Sequence, residues 1–173
     1  MAEKEHVERL KQGVDSWNRW RLENSDIVPD LSDANLQGKD LREVNLRRAN
    51  LSGADLREAS LRWGYLSEAN LSAASLSWAD LRETLLDRTN LRDAILHKAQ
   101  LVGANLSEAD LRGVFLREAN LRDAILCMAD LRWANLREVD IRWADFSGTE
   151  QRGGGANLRR ANLRGSDMRG TNL

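Results

Sequence analysis

The chain has 173 residues, with 26 Lys and Arg against 27 Asp and Glu, two His, one Cys and one Pro. That length suits one domain with a real core, and a net charge of −1 argues against wholesale attraction to nucleic acid or anionic membrane. A single Cys127 precludes an intramolecular disulfide, and two His with one Cys cannot build a structural zinc site, so no metal or cofactor is expected. No run approaches the ~18 apolar residues of a spanning helix, and the start MAEKEHVERL has no apolar leader; the expectation is a cytoplasmic protein without a membrane partner.

In chain order, residues 3–23 read as an amphipathic helix. Val7, Leu10, Val14 and Trp17 recur at spacings of three and four between Glu, Lys and Arg, and Asn24-Ser25 supplies a stop. The polar face is mixed rather than basic, which favours an intramolecular role: an N-terminal cap, residues 1–26, over the exposed end of the remaining chain.

From Leu31 an apolar residue recurs every five positions without a gap as far as Phe146, and Leu fills all but Ile141 and Phe146. Two residues before each sits a small one, as at Ala34, Ala49, Ala54, Ala69, Ala79, Ala104 and Ala129, then Asn or Asp; Ser or Arg follows the Leu. Period five suits neither regular element. On a helix each step rotates the Leu by about 140°, and on a strand an odd period sends successive Leu to opposite faces. Each pentapeptide is instead a short straight edge plus a corner, with Leu and Ala inward and Asn, Asp, Ser and Gly serving the turns. After Phe146 the phase breaks at Gln151-Arg152-Gly153-Gly154-Gly155 and resumes two residues late at Leu158, Leu163, Met168 and Leu173, which reads as a two-residue insertion in an irregular Gly-rich loop. Without a Gly-Lys-Ser/Thr step the glycines make no phosphate loop.

On these residues the chain resembles the pentapeptide-repeat family over residues 27–173. The lead-in Gly13-Val14, Trp17-Asn18-Arg19-Trp20-Arg21 and Pro29-Asp30-Leu31 is similar to that of cyanobacterial members. The resemblance implies an all-β solenoid: a right-handed quadrilateral parallel β-helix, four pentapeptides per coil, about seven coils and roughly 34 Å long at about 4.8 Å per coil. The sequence to Leu173 shows no second helix to cover the last coil, and the resemblance implies that a homodimer could form through that uncovered C-terminal end.

With four pentapeptides per coil, residues 20 apart stack. Arg92, Arg112 and Arg132 form one column beside Asp110 and Asp130; Arg42, Arg62, Arg82, Arg122 and Arg142 form another beside Asp40, Asp80 and Asp140. The interleaved acids favour neutralised rows over a phosphate grip, so nucleic acid is a disfavoured partner. The position before the core Leu, normally Asn or Asp, is apolar at Ile95 and Phe115, with Trp78 and His97 nearby, and at Tyr65 and Leu85, with Ile125 two coils on. Outward apolar residues against the repeat's own rule mark a candidate partner surface. Trp63, Trp78, Trp133 and Trp143 are expected over corners.

No catalytic constellation emerges. His97 and Cys127 map to opposite faces, and the carboxylates repeat over a convex surface. The reading is a non-enzymatic rigid scaffold for an unidentified protein partner. The alternative, which the family resemblance implies through its quinolone-resistance branch, is a DNA mimic that engages topoisomerase. A mimic needs dense negative charge, yet residues 27–173 carry 21 basic and 21 acidic side chains once the five and six of residues 1–26 are set aside.

Overall fold

The structure is a computed structural model that describes residues 3–148 and 155–172. From Asp30 to Ile125, each residue preceding a core Leu pairs in parallel with the residue twenty further on: Asp30 with Asn50, Asn35 with Asp55, Asp40 with Ser60, Asn45 with Tyr65. Four pentapeptides therefore close one circuit, and four flat faces result. We number them from the segments that begin at Asp30, Asn35, Asp40 and Asn45.

Three backbone bonds hold each face to its neighbouring coils. The Leu31 N–H donates to Asn50 O (2.7 Å) and the Asp33 N–H to Ser52 O (2.9 Å), while the Asn50 N–H donates back to Pro29 O (2.8 Å). A fourth, from the Ala34 N–H to Leu31 O (3.1 Å), closes the corner within the coil. These satisfy the polar backbone of a structure with hardly more than one bridged residue per edge.

The corners divide their work in a way that composition alone does not separate. Asn and Asp act from the straight edge: Asp30 Oδ1 accepts the Ser32 N–H (3.0 Å), and Asn50 and Asn70 do the same for Ser52 and Ser72 (3.2 Å each). The positive φ falls two residues after the Leu, and there the side chain is unselected. Among the described residues, twenty non-glycine residues take it, from Asp33 (+57°) to Arg160 (+61°), including Trp63, Trp78, Trp133 and Trp143 as expected. Each left-handed residue costs about 1–2 kcal/mol, which the stacked core and ladder offset.

That core is the inward Leu and Ala, buried from Leu31 to Phe146. Where Thr replaces Ala, at Thr84 and Thr89, the hydroxyls donate to Leu61 O (2.9 Å) and Leu66 O (3.1 Å), so no buried polar group is orphaned by the exchange.

Residues 3–23 are not one helix. Gly13 at φ +114° breaks them into α1 (Lys4–Lys11) and α2 (Val14–Glu23), a backbone conformation that an L-residue rarely adopts. The break lets both lie on the first coil. Trp17 is fully buried and its Nε1–H donates to Asn45 O (2.7 Å); Asn18 donates to Glu43 O (2.9 Å) and accepts the Asn45 N–H (2.8 Å). Arg21 donates to Ile27 O (2.6 Å) and Arg47 O (3.1 Å), the Asp30 N–H donates to His6 Nδ1 (3.2 Å), and the Glu3 N–H to Asp30 O (3.1 Å). Backbone groups that have no preceding coil to pair with are met here by side chains.

The insertion also differs from its reading. After Phe146 the pairing offset changes from 20 to 27: Asp130 pairs with Asn157, Asn135 with Asn162, Asp140 with Asp167 and Asp145 with Asn172. Consecutive edge positions Asp145 and Asn157 are twelve residues apart instead of five, so seven residues are inserted rather than two. Of the glycine-rich segment, residues 151–154 lie outside the described residues; Gly155 is exposed and leads into Ala156, whose N–H donates to Phe146 O (2.7 Å).

Candidate interaction surface

The arginine columns decide how charged the faces are. Wherever Asp precedes the core Leu and Arg follows it, the guanidinium folds back over the Leu and forks onto the carboxylate. In Asp80–Arg82 the contacts are 2.7 and 2.6 Å; in Asp110–Arg112, 2.7 and 2.5 Å; in Asp140–Arg142, 2.8 and 2.6 Å. Asp40–Arg42, Asp55–Arg57, Asp130–Arg132 and Asp167–Arg169 repeat it. Bonding to the guanidinium holds these Asp carboxyls below their ordinary range, Asp167 at about 2. The Asp-Leu-Arg unit is thus electrostatically closed on itself, and the columns are far less cationic than a count of Arg suggests.

Against this closed surface the apolar departures stand out. On face 2, Ile95 and Phe115 are bridged neighbours on successive coils, 41% and 49% exposed. Trp78, 57% exposed, meets the half-buried His97 ring edge-on at 6.3 Å, and Lys98 Nζ sits 4.5 Å from the indole. His97 Nδ1 lies 2.9 Å from Arg117 O. Ile95, His97, Phe115, Arg117 and Asn135 line one shallow dish. The expected residues Trp78, Ile95, His97 and Phe115 are therefore brought together.

Tyr65 and Leu85 are not part of that surface. They stack on face 4, where Arg47 covers the Tyr65 ring at 5.2 Å, Leu85 is half-buried, and Asn105 separates them from Ile125. Reading the sequence by apolar departures alone also overlooked Arg117, Arg137 and Arg164, which continue face 2 on successive coils. Their signal was the neutral Phe115, Asn135 and Asn162 two residues earlier, where a forking Asp would stand.

Among the described residues no His stands beside Cys127. Cys127 lies on face 4 with Ser147 Oγ 3.7 Å from its Sγ, burial pushes its thiol up, and His97 is on face 2. Among the described residues no group of His, Cys, Asp or Glu is placed to hold a metal ion, and no helix is long and apolar enough to cross a membrane.

A coiled stack of four-sided pentapeptide circuits defines a repeat solenoid with flat faces. The chain belongs to the pentapeptide-repeat family: eight copies of the family pattern match residues 30–62, 74–113, 116–150 and 154–173. Members fold as right-handed quadrilateral β-helices, and that is the architecture here. Among solved structures, one similar protein is HetL, a pentapeptide repeat protein involved in heterocyst differentiation regulation from Nostoc sp. strain PCC 7120. It is 29% identical over 88% of this chain and 90% of its own, with a TM-score of 0.56. Rfr23 from Cyanothece 51142 is 27% identical over 90% and 97%, TM-score 0.32. The plasmid-mediated fluoroquinolone resistance protein QnrB1 is 18% identical over 83% and 86%, TM-score 0.42. No curated protein matches significantly.

Proposed function

We propose that this chain is a non-enzymatic scaffold that holds a protein partner on face 2, the working surface being Trp78, Ile95, His97 and Phe115. The observation that carries it is the bridged, exposed Ile95–Phe115 pair in a position where the repeat asks for Asn or Asp. Similarity to HetL, described as involved in heterocyst differentiation regulation, supports the same class. In this reading residues 1–26 are the cap and 27–173 a seven-coil rod that keeps the surface flat and rigid, in the cytoplasm, where a free Cys127 stays reduced.

The forked Asp–Arg pairs weigh against DNA mimicry, because the carboxylates such a mimic would display are already engaged. A homodimer through the last coil is a secondary reading, favoured by the half-buried Leu158, Leu163 and Met168 there. Sedimentation velocity at tens of micromolar tests it, a monomer excluding it.

The test of the main reading is chemical crosslinking in lysate with wild type and with Ile95→Glu/Phe115→Glu. A protein crosslinked by wild type and lost in the double variant is the expected result. An unchanged crosslinking pattern from a folded double variant overturns the assignment of face 2.

A further inference from the structure

We propose that the occupant of face 2 is an acidic amphipathic helix, laid along the rod with its apolar residues on Ile95 and Phe115 and its carboxylates on Arg137 and Arg164. The inference rests on face 2 being the partner surface and adds the chemistry of what binds there.

Two observations fix the geometry. The backbone of the face is spent on its own ladder: the Ile95 N–H donates to Ala74 O, the Phe115 N–H to Ala94 O, and both carbonyls accept from Leu76 and Leu96. An extended segment therefore finds no free edge there, and recognition must run through side chains. Those side chains stand in rungs about 4.8 Å apart. A helix rises about 1.5 Å per residue, so its positions i and i+3 or i+4 are about 4.5–6 Å apart and match successive rungs. Ile95 and Phe115 then take i and i+3 or i+4; Arg137 faces i+7 and Arg164 faces i+10 or i+11.

Charge decides the sign of the partner. Face 2 runs from apolar to cationic: Ile95 with His97, Phe115 with Arg117, Asn135 with Arg137, Asn162 with Arg164. Arg117 is held by Glu118 (3.2 Å) and Glu138 (3.3 Å), but Arg137 reaches Glu138 only at 3.9 Å. Arg164 has no ion pair among the described residues. Neither is forked: Asn135 Oδ1 and Asn162 Oδ1 accept from the backbone N–H groups of Arg137 and Arg164. The surrounding charge agrees. Described residues 155–172 carry Arg159, Arg160, Arg164 and Arg169 against a single Asp167, on a chain whose total is −1.

The probe is a pair of synthetic 18-residue helices with Leu at i and i+4 and either Glu or Lys at i+7 and i+11. Binding is followed by fluorescence anisotropy at low and high salt. The Glu helix binds, the Lys helix binds about tenfold or more weakly, and 0.5 M salt narrows the gap. The charge-reversed Arg137→Glu/Arg164→Glu, a half-buried and an exposed position that both lie outside the Leu and Ala core, inverts the preference. Phe115→Glu weakens both helices. No binding of the Glu helix at millimolar concentration, equal binding of the two, or a preference unmoved by the reversal overturns the proposal. So does an oligothymidylate that displaces the Glu helix and outbinds it. If lysate crosslinking still depends on Ile95 and Phe115 while the Glu helix fails, the scaffold reading stands and the helix does not.

Discussion

Ala73 and Ala74 are adjacent alanines that should respond to glycine with opposite signs. Ala73 is an exposed corner residue at φ +56°, whereas Ala74 is fully buried among the stacked Leu and lies outside the left-handed region. At Ala73, removing Cβ relieves about 1–2 kcal/mol of left-handed strain and returns about 0.4–1 kcal/mol to the entropy of the unfolded chain, a net gain of about 0.5–1 kcal/mol. At Ala74 the same exchange adds that entropy loss to the removal of a buried methyl worth about 0.8 kcal/mol, for a net cost of about 1.2–1.8 kcal/mol. At about 2–4 °C per kcal/mol for a chain this long, Ala73→Gly raises the melting temperature by about 1–4 °C and Ala74→Gly lowers it by about 2–7 °C. Calorimetry on the two variants under one buffer reads both. A lower melting temperature for Ala73→Gly would show that corner strain is not where the fold loses stability, and would sink the account of the twenty left-handed residues.

Trp17→Phe keeps the buried ring but leaves Asn45 O without its donor, at a cost of about 1–3 kcal/mol. Faster amide exchange on the first coil than on the middle coils is the expected signature, and uniform exchange would refute a local role. Acid should act through the forked carboxylates. Their folded pKa values are lowered, so their stabilisation is complete above the unfolded Asp range near 4 and is lost as pH falls toward the folded values, about 2 for Asp167. Urea midpoints should hold level from pH 7 to about 5 and decline between about 4 and 2; a decline already complete at pH 5 contradicts the assignment. Gly170→Ala places a methyl against the Trp143 ring at a left-handed corner, and should lower stability while shifting tryptophan emission. An unchanged spectrum would mean that the ring does not cover Gly170.

What the sequence made legible is what the period governs. Five-residue spacing places Leu and Ala inside, and the four pentapeptides per coil that the family resemblance implies put residues 20 apart on top of one another and Ile95 against Phe115, because a solenoid turns linear order directly into neighbours. What it left dark depends on something the period does not carry. The phase of Leu158 against Phe146 gives an insertion length only modulo five, so seven residues read as two. The break at Gly13 is invisible to an apolar spacing that continues across it from Leu10 to Val14 and Trp17. The Asp–Arg forks need a side chain to fold back over an intervening Leu, a matter of rotamer rather than pattern. With them, the distinction between a pinned Arg112 and an unforked Arg137 went unseen.

Of the three bonds that link each face to its neighbours, two run one way and one runs back: the Leu31 and Asp33 amides point toward the next coil, the Asn50 amide toward the previous one. Peptide dipoles therefore fail to cancel along the axis, and the rod is polar from end to end. Its leading rim is rich in carbonyls, which is why Trp17, Asn18 and Arg21 meet it chiefly with N–H groups. Its trailing rim is rich in amides and asks for acceptors. The two rims are chemically unlike surfaces, and a helix pair that closes one could not be grafted onto the other.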